Sequence, residues 1–120
     1  MTKTSNKTYD LEDRTLKFAI QVRKFLRKLP KTVSNIEDGK QVIRSSGSIG
    51  ANYIEANEAL SKKDFIHRVK ISRKEAKETS YLLKIIIANN DKKFAPKGNM
   101  LILEVEELKK IFSTILEKCK

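Results

Sequence analysis

Lys63, Lys70, Lys77 and Lys84 recur seven residues apart, with Lys74 among them. A helix repeats its faces at nearly this interval, so the spacing predicts a lysine ridge along one helix, pointing away from whatever stripe that helix buries. Such a ridge suits a phosphate backbone, where each lysine displaces a condensed counterion and binding becomes steeply salt-dependent. Lys17, Lys24, Arg27, Lys28 and Lys31 form a second basic run nearer the N-terminus. The whole chain of 120 residues carries 26 Lys and Arg against 15 Asp and Glu, a formal charge of +11. A field of that sign attracts polyanions, nucleic acid foremost, with an acidic protein, an anionic membrane surface or simply a well-solvated basic face as the other readings. Tyr9, Tyr53 and Tyr81 are the only tyrosines, tryptophan is absent, and the five phenylalanines fall mostly on apolar stripes. Few rings are left to read bases, so contact with backbone and shape is the expectation.

Other chemistries find less support in the residues. Glu55 with Glu58 and Glu75 with Glu78 place carboxylates three apart, as carboxylate-bridged metal sites in helical bundles do. Those sites also need Glu-x-x-His, and His67, the only histidine, completes no such motif. The carboxylates are therefore assigned to capping and to ion pairs with Arg44, Arg68 or Arg73, and neither metal nor cofactor is expected. His67 has no nucleophile or carboxylate at a triad-like spacing. An Arg-x(4–6)-His nuclease motif fails too, because the nearest arginine before His67 is Arg44. The run Ser45-Ser46-Gly47-Ser48-Ile49-Gly50 lacks the Gly-Lys-Ser/Thr ending and the preceding strand of a phosphate-binding P-loop. Its small residues are read instead as a place where a neighbouring helix comes close and serines bond back to helix carbonyls. The chain is thus read as a binding protein and not an enzyme.

The elements that position these residues follow from periodicity. Leu11, Thr15, Phe18, Val22, Phe25 and Leu29 alternate spacings of four and three, a single buried stripe capped by Asp10 and closed by Pro30. Ser34 to Glu37 has the pattern of a capping box for a second helix carrying Ile36, Val42, Ile43, Ile49, Tyr53, Ile54 and Ala56. Ser61 to Asp64 opens a third, with Phe65, Val69, Ser72, Ala76, Thr79, Leu83 and Ile86 buried. Pro96 and Gly98 read as a connection, after which Leu101, Leu108, Ile111, Phe112, Ile115 and Leu116 give a fourth. The expected spans are 10–29, 34–59, 61–89 and 99–119. Short loops between helices of this length favour a single all-α domain, an antiparallel up-down-up-down four-helix bundle over residues 1–120.

Leu16 and Ile20 on the first helix, and Ile71, Leu82 and Ile85 on the third, fall outside these stripes. A second apolar strip beside a bundle core signals self-association, so these five are the expected oligomer contacts. Cys119 is the only cysteine, which excludes an intrachain disulfide and suits a reducing cytoplasm. The polar stretch Met1–Lys7 is followed by no apolar signal region, and no run reaches membrane-spanning length, so neither export nor a membrane is expected.

Three segments carry a family likeness: Asp10-Leu11-Glu12-Asp13-Arg14-Thr15-Leu16-Lys17-Phe18-Ala19, Arg44-Ser45-Ser46-Gly47-Ser48-Ile49-Gly50-Ala51-Asn52-Tyr53-Ile54-Glu55-Ala56, and Ser61-Lys62-Lys63-Asp64-Phe65. Together they resemble the bacterial four-helix-bundle proteins encoded within intervening sequences of large-subunit ribosomal RNA genes, over about residues 9–118. The resemblance implies a barrel-like homopentamer. It also implies kinship with the accessory protein of diversity-generating retroelements, which looks like a partner of reverse transcriptase and nucleic acid. Arg44, Ser46, Ile49, Gly50, Asn52, Glu55 and Ala56 match the family motif and are assigned to packing and buried polar contacts. The basic ridges belong to this chain's own residues and not to that motif.

Overall fold

A computed structural model describes the backbone of residues 3–120 and the side chains of residues 10–120. Tyr9 and the first two residues of the polar N-terminal stretch lie outside those described side chains. Four long helices fill the chain: α1 (Lys3–Arg27), α2 (Val33–Asn57), α3 (Lys62–Ala88) and α4 (Ala95–Lys118), with a short 3-10 turn over Lys92–Phe94. Cross-helix pairs fix their directions. Glu12, Thr15 and Arg23 of α1 meet Asn57, Gly50 and Ser46 of α2, in opposite order along the two helices. Ser45, Ile49 and Asn52 of α2 meet Thr79, Ser72 and Arg68 of α3. Gly98 and Glu106 of α4 meet Ile87 and Ser80 of α3, while Phe25 and Arg14 of α1 meet Gly98 and Glu104 of α4. Each neighbour is antiparallel, so the bundle runs up-down-up-down, with α1 diagonal to α3 and α2 diagonal to α4.

The stripe expected on α1 is buried from Leu11 to Leu29, and on α3 Val69, Ser72, Ala76, Thr79, Leu83 and Ile86 close the core against it. Leu101, Leu108, Phe112 and Leu116 of α4 join them, together with Val105, which periodicity had not singled out. Tyr53 packs its ring against Phe112 at 5.9 Å between centroids.

Several boundaries differ from expectation for local reasons. Asp10 is not a cap, because α1 begins seven residues earlier at Lys3. Helix α1 stops at Arg27, where Lys28 and Leu29 donate to the carbonyls of Phe25 and Leu26 in tightened 3-10 fashion ahead of Pro30. The capping box at Ser34 does not form. Thr32 caps α2 instead, its hydroxyl accepting from the Asn35 amide at 3.1 Å. Asn35 is then free to donate its side-chain amide to the Pro30 carbonyl and to exchange hydrogen bonds with Asn90, tying the α1–α2 loop to the end of α3. Ser61 caps α3 as expected, accepting from Asp64. Pro96 and Gly98 are not a connection but the first turn of α4, where a proline loses no intrahelical bond.

Leu82 is also corrected. It is 6% exposed and belongs to the core. Ser72, Glu75, Thr79, Leu82 and Ile86 make a second row at three-four spacing, all buried, and the close approach of α2 covers it. On α2, Ile36, Ile43 and Ile54 are exposed, because the buried row runs through Asn35, Val42, Ser46, Ile49, Tyr53 and Ala56 and those isoleucines lie about 100° around the helix.

Candidate nucleic-acid interface

The family-motif residues on α2 act as the seams on which the basic surfaces are hung. At Gly50 a Cβ would lie 2.7 Å from the Thr15 hydroxyl oxygen, so glycine is what lets α1 and α2 touch there. Ser46 donates to the Ile43 carbonyl and accepts from Arg23, and Ile49 and Ala56 are buried. Asn52 bonds back to Ser48 and accepts from Arg68. Glu55 departs from the buried polar contact expected of it: it lies about 100° around the helix from Ala56 of the buried row and is exposed to solvent.

Arg44 reaches from α2 to both carboxylates of the next helix, at 3.4 Å from Glu75 and 2.8 Å from Glu78. The two acids raise the arginine above its ordinary pKa, the charge of Glu75 contributing most. This pairing also decides the charge of α3. Glu78 lies four residues after Lys74 and would be its natural helical partner. Arg44 draws that carboxylate toward α2, and Lys63, Lys70 and Lys77 have no acid three or four residues away, so none of the four lysines has an ion-pair partner among the described residues. All four are exposed.

The ridge is not straight. A seven-residue repeat falls about 20° behind the turn of a helix, so the line from Lys63 through Lys70 and Lys77 to Lys84 winds toward α4. At its end the charge of Lys84 helps lower the pKa of Glu106, whose main cause is the hydrogen bond that Ser80 donates at 2.5 Å.

The basic run of α1 lies elsewhere. Lys17 is held by Asp13 at 2.9 Å, and that bond raises its pKa. Lys24, Arg27 and Lys28 line a cleft of about 280 Å³ at one end of the bundle, together with Lys97 from the first turn of α4. Sequence reasoning missed Lys97 by placing it in a loop; Pro96 as a first-turn proline was the signal that would have found it. α1 and α3 are diagonal, so one basic run lies along α3 and the other at the α1/α4 end of the bundle. The ring of Tyr81, 66% exposed, stands within the α3 surface, which sequence reasoning also overlooked.

Of the expected oligomer contacts, Leu16, Ile20 and Ile85 are exposed, Ile71 is half-buried and Leu82 is internal. Leu16 does not stand alone. With Ala19, Gly47, Gly50, Ala51 and Ile54 it lines a shallow apolar groove along the α1/α2 seam, and Ile36 and Ile43 lie farther along the same seam beside Arg23 and Leu26. Among the described residues, no group of three or more His, Cys, Asp and Glu could hold a metal ion, and no helix is long and apolar enough to cross a membrane.

Comparison with known families matches residues 7–114 to the description "23S rRNA-intervening sequence protein". The chain belongs to that family. Among solved structures it is similar to a protein of unknown function of the S23 ribosomal protein family from Bacteroides thetaiotaomicron, with 32% identity and a TM-score of 0.74. That similarity covers 88% of this chain and 97% of the other. No curated protein matches. The matched span of the 23S rRNA-intervening sequence family contains all of α2, α3 and most of α1 and α4, Arg44–Ala56 included. The α3 lysines and Tyr81 also lie inside it.

Proposed function

We propose that this chain is a non-enzymatic, oligomeric protein that binds RNA or DNA through its basic helix faces with little sequence preference. The observation that carries this reading is the row Lys63, Lys70, Lys74 and Lys77, exposed and without an ion-pair partner among the described residues, with Arg44 engaging Glu78, the one acid a helical turn from Lys74. A line of unpaired ammonium groups on a rigid helix can neutralise successive phosphates, and phosphate contact fixes position without reading bases. The cleft bordered by Lys24, Arg27, Lys28 and Lys97 offers a second place for the same backbone. The family description points to 23S rRNA intervening sequences, which makes RNA the first polyanion to test.

Self-association goes with this reading. The apolar border of the α1/α2 seam lies on the corner of the bundle away from the α3 ridge, so copies that meet there keep their lysines in solvent. The reading places the protein in the cytoplasm, where a lone Cys119 stays reduced.

Fluorescence anisotropy of labelled RNA and DNA tests the proposal. Wild-type protein should bind both, and the triple variant Lys70→Glu, Lys74→Glu and Lys77→Glu should weaken binding across sequences alike. Protein that ignores bare nucleic acid even at low salt would favour an adaptor whose basic face meets an acidic enzyme or ribonucleoprotein.

A further inference from the structure

Tyrosine carries a polar tip on an apolar ring, and a folded chain usually covers most of that ring. Tyr53 follows the rule, buried to 6% and packed on Phe112. Tyr81 does not, with 66% of its surface in solvent on the side of α3 opposite Ala76 and Leu83. Its neighbours on the helix are unusual in combination. Lys77 lies four residues before it, Lys74 seven before it, Lys84 three after it and the exposed Ile85 four after it. Residues three, four and seven apart share a helix face, so the ring is framed by three ammonium groups and one aliphatic side chain.

From this arrangement we infer that Tyr81 is a stacking platform for an unpaired base, and that the ligand of the α3 surface is single-stranded nucleic acid. The inference rests on the reading that the α3 lysines hold a phosphate backbone. Lys74 to Lys84 spans about 15 Å of helix, long enough to meet a phosphate on either side of a stacked base. Every base offers a π-face, so stacking adds affinity without sequence preference, in keeping with a chain that has few rings for reading bases. A duplex keeps its bases stacked on one another, and presenting one to Tyr81 would cost their unstacking.

The chain has no tryptophan, so Tyr81→Trp installs a single indole reporter at the proposed contact. Its fluorescence should be quenched on adding oligouridine and stay unchanged on adding an RNA duplex of equal length. In anisotropy titrations, Tyr81→Ala should weaken oligouridine binding roughly 5- to 100-fold and leave duplex binding within twofold. Tyr81→Phe should bind as wild type does. Equal losses on both ligands, or no loss on either, would overturn the inference. So would a change in oligomer mass for Tyr81→Ala, which would assign the ring to a subunit contact. Failure of the underlying reading is separately visible, because then wild-type protein would not bind, or the Lys70/Lys74/Lys77 triple variant would bind as wild type does.

Discussion

At the scale of single residues, glycine positions in α2 test how closely the helices approach. A Cβ at Gly50 would stand 2.7 Å from the Thr15 hydroxyl oxygen and 3.0 Å from its Cβ, and Thr15 is pinned by hydrogen bonds to the Leu11 and Glu12 carbonyls. Gly50→Ala should therefore destabilise the protein by about 1–2 kcal/mol, overpacking outweighing the gain in helix propensity. At Gly39 the nearest atom to an added Cβ is the flexible Leu26 Cδ1 at 4.0 Å. Gly39→Ala should stabilise by about 0.5–1 kcal/mol, chiefly by restricting the unfolded chain. Urea denaturation of the two variants beside wild type checks both signs. The close approach at Gly50 was legible in the sequence, because a run of Ser and Gly inside a helical pattern has few other uses. Leu82 was not, because the four-three row through Leu83 hides a parallel buried row through Thr79, and only the nearness of α2 shows that α3 buries both.

At the scale of elements, α3 is a core helix on one side and a cation row on the other, and Arg44 of α2 keeps the two roles apart. Arg44→Ala leaves the nearly buried Glu75 without its cation and releases Glu78 toward Lys74. Stability should fall by about 1–2 kcal/mol, less than for a fully buried pair because Arg44 itself is more than half exposed. The same variant should bind RNA more weakly, since a carboxylate then competes for the ridge. Thermal unfolding and anisotropy on one preparation would show both effects, and loss of stability with unchanged binding would break the link between the pair and the ridge. Helix existence and the α1 and α3 core rows were legible from spacing. Helix ends were less so: Thr32 and Ser34 are both competent caps, and the choice turns on the Asn35–Asn90 exchange with the far end of α3, which no local pattern displays.

At the scale of the whole molecule, the up-down-up-down order puts α1 and α3 on a diagonal, so two basic runs that look equivalent in sequence face different partners. Spacing along a helix gives a face, and only the packing of four helices says which faces adjoin. That same packing brings Lys97 to Lys24, Arg27 and Lys28 from 69 or more positions away. It also sets Leu16 beside Ile54, with Ile43 farther along the same seam, so in the proposed oligomer Ile43→Glu with Ile54→Glu should leave the 13.8 kDa single chain with its helical circular dichroism intact. Light scattering reads that mass, and an unchanged oligomer would exclude this corner as the subunit contact.

Neutralisation of phosphates by unpaired lysines on α3 is read out by a salt series of oligouridine binding to wild type and to the Lys70→Glu, Lys74→Glu, Lys77→Glu variant. Three lost phosphate contacts on a single strand should lower the slope of log affinity against log salt by about 2. Weaker binding with that shallower slope is the predicted result; equal affinity and equal slope for the two proteins would contradict it.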